Sequence, residues 1–83
     1  GESWWPAMYG APARCGDSEG IRYAFFPRQR RLLVQVGSRI DAYDTGAKQV
    51  TGCAHQTGDG AGALVCSTPQ GELRLSDLSR VDV

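Results

Sequence analysis

The chain has no apolar run long enough to cross a bilayer, no Cys-x-x-Cys, one histidine and one lysine. Each shortage closes a class of function. A membrane-spanning helix needs about 20 mostly apolar residues, so no membrane association is expected. The formal net charge is zero, so no global field favours an anionic membrane or nucleic acid, and nucleic acid is not an expected partner. A dedicated zinc site would need Cys15, Cys53, Cys66 and His55 to converge, at spacings that fit no standard zinc pattern. No metal and no cofactor is expected. No stretch sustains a 3.6-residue apolar period, which leaves helices out of the expected architecture.

The three cysteines, Cys15, Cys53 and Cys66, make an odd and poor disulfide framework. At most one internal bridge can form, and Cys53–Cys66 is the pairing to expect if their strands are neighbours. The alternative, taken as the expectation, is three reduced thiols packing as small apolar groups. The chain opens on Gly1-Glu2 like a trimmed end, so the absence of a leader at this position excludes nothing.

The residues that are present read as one small all-β domain over 1–83. At 83 residues a chain buries roughly 60–65% of the surface its unfolded form exposes, so the core is thin. Residues 1–20, rich in Gly, Pro, Ala and Ser, read as an irregular strap whose Trp4 and Trp5 pack on the rest. From Ile21 the signals are those of strands. "IRYAFF" is β-branched and aromatic, and Pro27 ends it. "RRLLVQV" alternates, with Leu32, Val34 and Val36 on one face and Leu33 and Gln35 on the other. Gly37-Ser38 forms a two-residue hairpin turn with Gly at positive φ. "RIDAYD" returns with Ile40 and Ala42 opposite Asp41 and Tyr43. "KQVTGCAHQT" is a weaker strand, where Gly52 marks a bulge or a close backbone approach. "GDGAG" at 58–62 is a loop. "ALVCST", a turn at Pro69-Gln70-Gly71 and "ELRL" follow, then a local turn or cap at Ser76-Asp77, and Leu78, Val81 and Val83 close the core. The connections are too short for crossover helices. The expected fold is a small antiparallel meander of about six strands, curled into a barrel or a strongly bent sheet.

Asp44-Thr45-Gly46-Ala47 spells the signature of aspartic proteases. That chemistry needs two carboxylates about 3 Å apart sharing a proton, so a small chain would have to dimerise to supply both. Ala42-Tyr43 is less aliphatic than such a loop requires, no later apolar pair braces it, and the length leaves little for a cleft and a flap. The alternative is a hairpin loop in which Asp44 accepts backbone N–H groups and Gly46 supplies positive φ. The turn is the expected reading, and no catalytic residue is assigned. Cys53 and His55 lie two apart and would share one face of a strand, too little for a thiol enzyme. "GDGAG" precedes a strand and so lacks the helix N-terminus of a phosphate cradle. Arg28, Arg30 and Arg31 read as a solvated hairpin tip paired with Asp41 and Asp44. Tyr23, Phe25 and Phe26 read as core more than as a base-stacking platform.

The ordered words "SWWP", "IRYAFFP", "RRLLVQVGSRIDAYDTG", "VTGCAHQTG" and "LVCSTPQGELRLSDLSRV" cover nearly the whole chain. In that order the chain resembles the C-terminal module of uncharacterised bacterial SHOCT-domain-containing proteins. It departs from them at "GCAHQTG", where those proteins are Gln-rich. The resemblance implies a domain cut from a longer cytoplasmic parent, with reduced cysteines, and it carries over no catalytic residue. The resulting expectation is a non-catalytic module for protein interaction or self-association. Trp4, Trp5, Tyr43, Cys53, His55 and Gln56 are its candidate contact residues. The alternatives are a homodimeric aspartic-protease-like enzyme using Asp44, and a small-ligand or nucleic-acid binder using Arg28–Arg31 and the aromatics.

Overall fold

A computed structural model describes residues 4–18, 20–55 and 64–83. The loop expected at 58–62 and the strand end at Gln56-Thr57 lie outside these residues. The chain is all-β, in two antiparallel sheets. Strands β1 (Arg14–Ser18), β2 (Ile21–Phe26), β3 (Arg31–Val36) and β4 (Arg39–Asp44) form a meander, and β8 (Ser79–Val81) joins the free edge of β4. Strands β5 (Gly52–His55), β6 (Leu64–Thr68) and β7 (Gly71–Arg74) form a second, three-stranded sheet. All six expected strands have a counterpart, though the one expected from Lys48 begins only at Gly52. The sheets do not close into a barrel, because the edge of β4 that β5 would have extended is taken by β8, through Ala42↔Val81, Tyr43↔Arg80 and Asp44↔Ser79. No helix among the described residues is long and apolar enough to cross a membrane.

Three further expectations are corrected. The strap is shorter than 1–20, because Arg14–Ser18 pair with β2 as an edge strand and Ala7–Tyr9 wind a 3-10 turn. Leu75, expected at the end of the strand "ELRL", is buried in a 3-10 turn over Leu75–Asp77 instead. Asp77 closes that turn by accepting the Arg74 backbone N–H at 3.4 Å. Val83 stays exposed, whereas Leu78 and Val81 pack on the core.

Alternation along β2 and β3 sets the rest. Successive strand residues point to opposite faces, so Phe25 and Phe26 part company, and both are 1% exposed. On the front face Ile21, Phe25, Leu32 and Val34 meet Leu64, Cys66, Leu73 and Leu75 from the second sheet and its 3-10 turn. On the back face Ala24, Phe26, Leu33 and Ala42 are covered by Tyr9, with Trp4 and Trp5 beside it. The Tyr9 and Trp5 rings stand 5.0 and 5.8 Å from Phe26, centroid to centroid. Trp4 meets Trp5 edge-on at 5.4 Å, and the Trp5 indole N–H donates to the Gly10 carbonyl at 2.9 Å. The strap therefore packs as the sequence suggests, over a face of the sheet that would otherwise be open.

The expectation of reduced thiols fails for two of the three cysteines. Cys53 and Cys66 stand directly opposite in the β5–β6 ladder and are joined by a disulfide. Closing a loop of this length constrains the unfolded chain by about 3 kcal/mol, a large increment for a thin core. Cys15 is free and exposed on β1.

Gly16 marks a close approach. It faces Tyr23 across the β1–β2 ladder, and a Cβ there would lie 2.9 Å from the Tyr23 hydroxyl and 3.1 Å from its ring carbon. At Gly52 the structure shows neither the bulge nor the close backbone approach expected: the β5–β6 register is regular there, and among the described residues the nearest atom to a Cβ would be the Tyr23 hydroxyl at 4.0 Å, an ordinary contact. Gly16→Ala is expected to destabilise the fold by about 1–2 kcal/mol through overpacking. Combining it with Tyr23→Phe, which removes the nearest atom, is expected to recover part of that loss in urea unfolding. Equal midpoints for Gly16→Ala and the parent protein would mean the ring is not held there.

Candidate functional site

Asp-Thr-Gly is built as a turn. Asp44 ends β4, and its Oδ1 accepts the Gly46 N–H at 2.9 Å, with Gly46 at φ 57°. The Thr45 N–H donates to the Arg30 carbonyl at 3.0 Å, and the Lys48 N–H donates to the Thr45 carbonyl at 3.0 Å. It is not the hairpin loop expected, because the strands on either side belong to different sheets. The turn directs the chain out of the first sheet and toward the second. Asp44 Oδ1 also lies 3.7 Å from Arg31 Nη1 on the neighbouring strand. Thr45 is buried, and its hydroxyl has no hydrogen-bond partner among the described residues.

The six candidate contact residues do not converge. Trp4 and Trp5 belong to the back-face cluster, whereas Tyr43 and Cys53 pack at the margin of the front-face core. Cys53 is bonded to Cys66 and is no free nucleophile for a Cys/His pair. His55 lies on β5 opposite Leu64; its side chain, and all of Gln56, lie outside the described residues. Tyr43 sits in a polar row with Arg39, Asp41 and Arg80. Burial raises its phenol above the ordinary 10.0, the Asp41 carboxylate raises it further, and Arg80 and Arg39 oppose the shift. Arg39 Nε pairs with Asp41 at 3.2 Å.

The structure brings a different set together. The β2–β3 connection, Pro27 to Arg30, is a tight turn in which the Arg30 N–H donates to the Pro27 carbonyl at 3.2 Å and Arg30 takes φ 58°. A non-glycine residue in this region carries a cost of about 1 kcal/mol. The conformation lets the Arg30 carbonyl accept both from Thr45 N–H and from Arg31 Nη1, the latter at 3.2 Å. The strap runs beside this tip, held by Gln29 Nε2 donating to the Tyr9 carbonyl at 3.3 Å. Between strap and tip lie two adjoining hollows. One, of about 580 Å³, is bounded by Met8, Tyr9, Pro12, Phe26, Pro27 and Arg28 among others. The other, of about 380 Å³, is bounded by Met8, Tyr9, Gln29 and Arg31. Met8 is 72% exposed between them. The only sequence signal for this place was the cluster of arginines at 28–31. Met8 and Pro12 carry no periodicity that would have joined them to it.

Two outcomes test the local chemistry. Gly46→Ala is expected to lower stability by about 1 kcal/mol or more, since alanine is strained at this φ; an unchanged melting temperature would contradict the turn geometry. A phenol whose pKa is raised on folding stabilises fully below its unfolded value and loses that contribution as pH rises from there through the folded value. Stability should therefore fall as pH rises past the ordinary phenol value of 10.0, and Tyr43→Phe should flatten part of that fall in urea titrations. No protein-family model, curated protein or solved structure matches the chain, so a functional reading rests on these residues alone.

Proposed function

We propose that the chain is a non-catalytic protein-interaction module, and that its contact surface is the seam between the strap and the β2–β3 tip. One observation carries this reading. Met8, a large apolar side chain, stands 72% exposed between two adjoining hollows, on a backbone pinned from both sides. Binding residues are disproportionately found on loops positioned by a rigid scaffold, and here Trp5, Tyr9 and Gln29 supply that rigidity. Trp4 and Trp5 then serve the surface indirectly, by packing under it. The role of Asp44 as a turn acceptor favours this reading over the protease-like alternative. The partner is another protein or a second copy of this chain.

The parent's compartment is proposed separately. A cytoplasmic parent, as the resemblance to SHOCT-domain-containing proteins implies, would keep its thiols reduced. The Cys53–Cys66 bridge supports an oxidising compartment instead.

The reading is tested by placing a photoreactive residue at position 8 in the protein as its own cell makes it, then identifying covalent adducts by mass spectrometry. The expected result is a reproducible polypeptide adduct, either another protein or a second copy. It should be absent when the same residue replaces Glu72, which is exposed on the second sheet. No adduct, or the same adducts from both positions, would overturn it.

A further inference from the structure

We propose that the seam takes an extended peptide segment in which carboxylates alternate with apolar side chains. This rests on the interaction reading above and names the chemistry of the partner.

The argument begins with charge. The residues that bound the two hollows include the cations Arg28 and Arg31 and, among the described residues, no Asp or Glu. Arg28 is exposed, and no carboxylate among the described residues lies within 4.0 Å of it. Arg31 is tied to Asp44 by one contact at 3.7 Å and by bonds to the Gln29 and Arg30 carbonyls at 3.4 and 3.2 Å. These hold its guanidinium at the rim. Arg30 adds a third cation to the same turn, at a backbone position where glycine would be less strained. A protein of zero net charge thus places three arginines in four consecutive positions, two of which, Arg28 and Arg31, border the hollows. A guanidinium presents a planar fork of N–H donors that matches a carboxylate in two parallel bonds.

The floor supplies the second half of the chemistry. Tyr9 and Phe26 are buried and packed on each other, so the base of the hollow is formed before anything binds. Pro12 and Pro27 add walls that lack backbone N–H donors, and Met8 is an unbranched side chain that adapts to irregular apolar partners. An apolar base under a cationic rim fits a segment carrying both apolar and acidic side chains. It fits a nucleic acid less well, because a chain of zero net charge has no broader field to hold a phosphate backbone.

The test uses the purified protein and a fluorescein-labelled hexapeptide, Glu-Leu-Asp-Phe-Glu-Leu, capped at both ends. The same peptide with every acid replaced by Lys, and a single-stranded thymidine homopolymer, are titrated alongside at about 0.05 M salt, where the screening length still exceeds 10 Å. Saturable anisotropy is expected for the acidic peptide, with affinity at least about tenfold above the basic one. Its amide shifts should centre on Met8, Gly10, Arg28 and Gln29. Arg28→Glu is expected to weaken binding about tenfold or more, and Arg74→Glu, on β7, to leave it unchanged. Equal binding of the basic peptide, tighter binding of the oligonucleotide, or no shift at those amides would overturn the proposal. An adduct from position 8 together with a silent acidic peptide would retain the interaction surface and discard only its acidic, apolar specificity.

Discussion

Two phenylalanines in succession on one strand cannot share a face, and most of this fold follows from that. Phe25 and Phe26 stand on β2 with Leu32 and Leu33 beside them on β3, so the centre of the first sheet is apolar on both sides. An antiparallel sheet of this kind ordinarily buries one face and leaves the other wet. Here each face needs a cover, and a short chain has little with which to build one. The second sheet covers the front. The back is covered by roughly one turn of 3-10 helix and three large aromatic side chains, Trp4, Trp5 and Tyr9. Aromatic rings bury about 150–250 Å² each, which is why so short a strap suffices.

The disulfide belongs to the same constraint. The second sheet has three short strands, and its central strand supplies Leu64 and Cys66 to the front core. Linking Cys53 to Cys66 ties β5 to that strand and shrinks the unfolded ensemble, which helps a domain whose core area alone gives a narrow margin. The thiol becomes part of the packing, with no reactive role left to it.

Where cover meets sheet, a seam is unavoidable, and the seam is where the surface has shape. The strap must cross the end of the β2–β3 hairpin to reach β1. Gln29 and Trp5 fix its path there, leaving hollows on either side of Met8. The Arg30 carbonyl, aimed by a backbone conformation that glycine would adopt more readily, binds the Asp44–Gly46 turn to the same hairpin tip. A rigid floor, a cationic rim and one exposed methionine come together because the same few contacts that close the back face also hold the tip.

Much of this was legible in the residues. Period-two alternation at Leu32–Val36 and Ile40–Tyr43 assigned each side chain to its face, because strand geometry leaves no other choice. Gly37 and Gly46 took the positive φ that their turns demanded. Asp44 bonded to the backbone two residues on, as a local hydrogen bond can be read from neighbours in the chain. What lay beyond reading was which sheet edges would pair and which loops would meet. Nothing local says that Ser79–Val81 will take the edge of β4 and so keep the sheets from closing into a barrel. Nothing local says that Arg14–Ser18 will pair as a strand, that the Cys53 and Cys66 thiols will be oxidised, or that Met8 will stand beside Arg28. The sequence by itself determined the strands, their faces and their turns, since these depend on side-chain period and backbone sterics over a few residues. Only the tertiary structure decided which edges paired and which loops met, because those outcomes depend on how two apolar faces competed for the few segments able to cover them.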